Sequence, residues 1–195
     1  MDITVRGIRI HVSFLFVCLV ALYTLFTPTP DSVFFLLAVI LHEVGHLLAM
    51  LLSGELPAAV ELRSFGIKIC RRQTFLPPLR ELLILSAGPF VNLLLSAVFF
   101  AMGKGFHNAA MMNLILALFN LFPVGCLDGG NILRCLLELR LPPYLSQIIS
   151  VCVAAVFLLL FFAAGALIFF GGSHSPSLLI TAVYLTVTLI KDISG

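Results

Sequence analysis

Leu41-His42-Glu43-Val44-Gly45-His46-Leu47 lies inside an apolar run from Ser32 to Leu52, and its reading decides the rest of the chain. In a helix, His42 and His46 project from one face, one turn apart. That spacing suits two imidazole ligands on one tetrahedral zinc ion, with Glu43 beside them as general base toward a metal-activated water. With five His and five Glu in 195 residues, an accidental H-E-x-x-H is expected on the order of 0.3% of the time. The setting adds weight, because a charge at the centre of a membrane span costs roughly 2 to 3 kcal/mol and marks a functional position by default. The plain alternative is a pair of core histidines hydrogen-bonded to neighbouring helices.

Composition makes the chain a membrane protein. Hydrophobic residues make up 61% and charged residues 10%, against about 25% charged in soluble domains. The mean hydropathy is +1.18. Since a span takes about 20 apolar residues, the length predicts a single all-α integral membrane domain over 1–195, with about six transmembrane helices and no soluble regulatory domain. The spans are expected at about 11–26, 32–52, 81–102, 108–122, 145–170 and 177–190. Arg6 and Arg9 precede the first of these; with no A-x-A-like cleavage site before Thr27-Pro28-Thr29-Pro30, it reads as an uncleaved span. The five cysteines are scattered and form no C-x-x-C, which argues against a disulfide framework or a cysteine-rich zinc site.

Charge placement predicts the orientation. With a cytoplasmic N-terminus, ten of the eleven basic residues fall on the inner side, and only Lys104 falls outside. The positive-inside rule then places both termini in the cytoplasm and runs the motif helix inward. Between the second and third spans, Val60-Glu61-Leu62-Arg63 and Ile67-Lys68-Ile69 alternate apolar and polar around Ser64-Phe65-Gly66. This reads as a small cytoplasmic-side β-hairpin, or as an ordinary loop.

Two imidazoles leave a catalytic zinc one protein ligand short. Most acids sit at span ends or in loops, where a solvated surface charge is the ordinary reading. Asp128 differs: it ends Asn120-Leu121-Phe122-Pro123-Val124-Gly125-Cys126-Leu127-Asp128, a stretch with a helix breaker inside an apolar run. Broken backbone at membrane depth is tolerated where it is buried in protein or lines a water-filled cavity. Asp128 is therefore the candidate third ligand, with a helix N-cap for the segment from Asn131 as the alternative. Asn120 is the candidate for polarising a substrate carbonyl. Gly88, Asn92 and Ser96 form a small and polar stripe, matched by Ala38, His42, Gly45, His46 and Ala49 on the second span and by Asn113, Ala117 and Asn120 on the fourth. Such stripes let membrane helices approach closely. Asn92 reads either as interhelical glue or as a substrate contact.

These segments, His42-Glu43-Val44-Gly45-His46, Ser86-Ala87-Gly88-Pro89-Phe90-Val91-Asn92 and Asn120 to Gly129, resemble, in that order, the site-2 protease family of intramembrane zinc metalloproteases. The resemblance covers roughly residues 10 to 140. It implies that His42, His46 and Asp128 bind one Zn2+, that Glu43 is the catalytic base, and that Asn120 assists the oxyanion. It implies also that the hairpin, through Phe65, Gly66 and Ile67, helps hold an extended substrate. The short N-terminus and lack of a PDZ insertion look most like the bacterial branch that includes the sporulation pro-sigma-factor processing enzyme, hence a bacterial inner-membrane location. Unlike some of those relatives the sequence carries no C-terminal CBS domain, so nucleotide-dependent regulation is not expected. The expected partners are a membrane-associated protein substrate, the lipid bilayer and a membrane regulator, with no nucleic acid. A membrane zinc transporter would use the same ligands without needing Glu43, and a non-catalytic scaffold would need neither.

Overall fold

The computed structural model describes residues 2–5, 8–12, 30–54, 57–63, 66–71, 77–173 and 176–194. Among the described residues, six α-helices carry the fold: α1 Pro30–Leu52, α2 Pro78–Ala101, α3 His107–Asn120, α4 Asp128–Glu138, α5 Pro143–Ile168 and α6 Ser177–Ser194. A 3-10 turn, Lys104–Phe106, joins α2 to α3, and a π-helical turn, Phe169–Ser173, extends α5.

The expected spans are seen in part. Among the described residues, three helices are long and apolar enough to cross a membrane: Asp31–Leu52, Pro78–Ala101 and Pro143–Gly171. The expected fourth span, 108–122, is the 14-residue α3. At about 1.5 Å per residue α3 falls short of the roughly 30 Å hydrocarbon layer. The expected sixth span is a shorter apolar helix, Ser177–Lys191. The first expected span lies outside the described residues from position 13 onward, and its start at His11 belongs to a strand.

The strands β1 Asp2–Val5, β2 Ile8–Val12, β3 Pro57–Arg63 and β4 Gly66–Arg71 form one sheet in the order β1-β2-β3-β4. β1 and β2 pair antiparallel, β2 and β3 parallel, and β3 and β4 antiparallel with Leu62 opposite Ile67 and Arg63 opposite Gly66. The hairpin between α1 and α2 is thus half of a larger sheet; Phe65, at its turn, lies outside the described residues.

The chain divides into two compact units, Met1–Leu118 and Phe119–Gly195. In the first, α1 presents Ala38, His42, His46 and Met50 inward, all at most 7% exposed, while Leu37, Ile40, Leu48 and Leu51 on its other face are about half exposed. Exposed aliphatic residues along a whole helix face suit lipid rather than water. α2 buries Ile84, Gly88, Pro89, Asn92 and Ser96, the stripe read from the sequence. α3 buries Ala109, Ala110, Asn113 and Ala117. At the far end from the histidines, Phe34 packs edge-on to Phe99, and Phe99 stacks on Phe106.

In the second unit, Val124, Ala154, Leu158, Leu185 and Leu189 form the core, with Phe119, Leu127, Phe157 and Tyr184 packed against it. Phe122 anchors the turn after α3 through ring contacts with Phe157 and Phe161, at 4.6 and 5.7 Å between centroids.

Close approach of α1 and α2 depends on Gly45. A Cβ there would stand 2.9 Å from the Ala87 carbonyl oxygen and 2.9 Å from Val91 Cγ2. Gly45→Ala should therefore lower stability by about 1–3 kcal/mol through overpacking. Gly105→Ala, with nothing within 4 Å of its Cβ, serves as the control. Unfolding in detergent micelles checks this, and equal stability of the two variants would contradict the packing described.

Candidate metal centre

His42 and His46 sit on the buried face of α1, 5% and 7% exposed. Their rings lie edge to face, with centroids 4.8 Å apart and planes at 80°. Each Nδ1 is anchored. His42 Nδ1 is 2.6 Å from Asn92 Oδ1, and His46 Nδ1 is 2.7 Å from the backbone oxygen of Ile84. A carbonyl oxygen only accepts, so His46 Nδ1 carries the hydrogen. The Asn92 amide is oriented by its own donations, from Nδ2 to the Ala38 carbonyl at 3.1 Å and to Asn113 Oδ1 at 2.9 Å. Its Oδ1 therefore faces His42 as an acceptor, and His42 Nδ1 carries the hydrogen as well.

The consequence falls on the other nitrogens. In the neutral rings both Nε2 atoms bear lone pairs, and they lie 3.2 Å apart. Two acceptor nitrogens thus lie side by side in a buried site, an arrangement that suits a cation bound between them. Two imidazole nitrogens on a tetrahedral zinc, each at about 2.0–2.1 Å, stand about 3.3–3.4 Å apart. The donor set thus fits zinc in type, tautomer and separation. Each ligand also has the outer hydrogen bond that orients metal-bound histidines.

Gly88 completes this half of the site. A Cβ there would lie 2.8 Å from His42 Nε2 and closer still to His46 Nε2. The helix backbone borders the space a metal would occupy, and any side chain would fill it. Sequence reading took Gly88 for a packing residue, though its position one turn before Asn92 was the available signal. The Ile84 carbonyl gave no signal, being backbone. Pro89, next to Gly88, lacks the hydrogen that would reach the Leu85 carbonyl, one residue after the Ile84 carbonyl that holds His46.

The structure places Asn92 on the buried face of α2. It is wholly buried, and its amide is engaged by His42, Ala38 and Asn113. Glu43 and Val44 follow His42 on the same helix. Val44 is 37% exposed and Glu43 partly buried.

In the second unit, Asp128 opens α4 in its first turn. The N-cap is Leu127, in extended conformation with no side-chain cap bond. The helix begins at Asp128 rather than Asn131, so the capping alternative for Asp128 does not hold. Asn131 instead ties the preceding turn, donating from Nδ2 to the Gly125 and Leu127 carbonyls at 3.0 Å each. Gly129 and Gly130 pack on that turn so closely that a Cβ at either would meet the backbone of Leu121, Phe122, Val124 or Gly125. Asp128 is partly buried, as is Asn120 at the end of α3.

The first unit thus defines a membrane protein with a paired-imidazole metal half-site. Comparison with known proteins finds partial likenesses. A sequence model of Peptidase family M50 matches residues 104–163, a stretch that includes Asn120 and Asp128 but not the histidines. A Synechocystis sp. protein, provisionally named a zinc metalloprotease, is 33% identical over 107 residues, covering 50% of this chain and 28% of that protein. The chain therefore spans little more than a quarter of this relative. Among solved structures, the site-2 protease from Methanocaldococcus jannaschii matches with a TM-score of 0.69 at 20% identity, over 98% of this chain and 94% of that one. At such identity the likeness establishes the fold. The family model thus matches part of the chain, and the structural likeness shows its fold.

Gly88→Ala should abolish stoichiometric zinc binding while leaving the helices formed. Metal analysis alongside circular dichroism of the purified variant checks this; a variant that keeps wild-type zinc content would show that the metal lies elsewhere.

Proposed function

We propose that the chain is an intramembrane zinc metalloprotease in which His42, His46 and Asp128 hold one zinc ion. The observation that carries this is the pair of Nε2 lone pairs 3.2 Å apart, each fixed by an anchored Nδ1. The M50 match over Asn120 and Asp128 and the site-2 protease fold support it. Zinc at that position would act as a Lewis acid, bringing the pKa of water down toward neutrality and polarising a carbonyl.

The residues divide the remaining work. A Glu43 carboxylate oxygen takes a proton from the attacking water and delivers it to the departing amide nitrogen. Asn120 Nδ2 donates to the oxygen on which negative charge develops. A helical substrate hides its carbonyls in its own hydrogen bonds, so a segment must unwind before cleavage. β4 is the edge of the sheet, and Gly66 and Ile67 on it offer backbone groups for strand addition to an extended segment. Phe65 is proposed to contribute at the same turn.

The basic residues near the strands and at the start of α2 support a cytoplasmic position for this end of α1. The reading extends to a bacterial inner membrane, cytoplasmic termini, and a membrane-embedded protein as substrate.

Glu43→Gln should keep its zinc and lose cleavage of a reconstituted membrane peptide by at least about 10²-fold, the usual contribution of a general base. His46→Ala should lose both. A Glu43→Gln variant that still cleaves at the wild-type rate would sink the protease reading.

A further inference from the structure

The structure assigns Asn113, on α3, the role of positioning residue for the metal ligand His42, although the two side chains do not touch. This deepens the metal-site reading and rests on it. Four hydrogen bonds carry the assignment. Asn113 Nδ2 donates to the Ala109 carbonyl at 2.9 Å, one turn back on its own helix. This directs Asn113 Oδ1 outward to accept from Asn92 Nδ2 at 2.9 Å. Asn92 Nδ2 donates also to the Ala38 carbonyl at 3.1 Å. With both Nδ2 hydrogens committed, Asn92 Oδ1 accepts from His42 Nδ1 at 2.6 Å.

Two backbone carbonyls, at Ala38 and Ala109, thereby set the direction of the whole chain. They cannot donate, so neither asparagine can turn its amide over without placing oxygen against oxygen. All three side chains are at most 5% exposed, and water does not compensate for a wrong orientation there. The orientation matters because of the 3.2 Å gap between the imidazoles. If the Asn92 amide were reversed, its NH2 would face His42 Nδ1 and drive the hydrogen to Nε2. His42 would then donate to His46 Nε2, and the two rings would bond to each other instead of to a metal.

Removing Asn113 takes away one of the two acceptors that hold Asn92 in register. The isosteric change Asn113→Leu should move His42 toward the Nε2-protonated tautomer. His46, anchored separately by the Ile84 carbonyl, should not respond. Zinc affinity should fall about 10- to 100-fold, the usual effect of losing an outer-shell partner. Loss of general packing would disturb both rings alike.

Nitrogen-15 solid-state NMR of histidine-labelled, metal-free protein in lipid, at a pH where both rings are neutral, reads the tautomers directly. Wild-type His42 and His46 are expected with Nδ1 protonated, and Asn113→Leu is expected to shift His42 alone. A wild-type His42 protonated at Nε2, or an Asn113→Leu change that moves both rings or neither, would overturn the assignment. The wild-type spectrum decides even if the variant fails to fold. Because the protein is metal-free, failure here is distinguishable from failure of the protease reading, which the Glu43→Gln comparison tests.

Discussion

Two imidazole nitrogens held 3.2 Å apart on the buried face of α1 are the constraint on which the first unit depends. Water would ordinarily separate them, but at 5% and 7% exposure it has little access. A proton shared between the rings would relieve the conflict, and both Nδ1 anchors work against it. A cation relieves it fully. The surrounding sequence follows from holding that arrangement without screening it. Gly45 and Gly88 bring the α2 backbone against the histidine face, and a β-carbon at either would collide with α2 or with the rings. Asn92 and the Ile84 carbonyl supply acceptors at the two outer nitrogens. Each costs burial of polar groups, which is acceptable only because every one is hydrogen-bonded.

The second unit solves a different problem, how to stop a helix at depth and begin another at an acid. α3 ends at Asn120, and the backbone turns through Pro123 with Val124 wholly buried. Carbonyls of the turn need donors, and Asn131 Nδ2 donates to two of them, at Gly125 and Leu127. Gly129 and Gly130 let α4 start directly against the turn. Asp128 is thereby held in the first turn of α4.

Much of this was legible in the sequence. The spacing of His42 and His46 required a helix to put them on one face, and the apolar run supplied it. The stripes of Gly88, Asn92 and Ser96 and of Asn113 and Ala117 are the buried faces of α2 and α3. What escaped notice has physical reasons. Backbone acceptors at Ile84, Ala38 and Ala109 are independent of side-chain identity. The direction of an amide depends on partners from other helices, so Asn92 alone could not disclose whether it met a substrate or a ligand. Hydropathy averages over breaks: 108–122 is apolar enough for a span, but its helix stops at Asn120. The N-terminal strands were detectable, since Ile8-Arg9-Ile10-His11-Val12 alternates with period two, yet the following apolar run absorbed them into a span.

X-ray absorption at the zinc edge of the purified protein tests the central claim most directly, because it sees the ligand atoms themselves. Two imidazoles and a carboxylate predict a shell of nitrogen and oxygen alone at about 2.0–2.2 Å, with the multiple scattering of two histidine rings. A sulfur scatterer at about 2.3 Å, or a metal shell without paired imidazole scattering, would contradict the account.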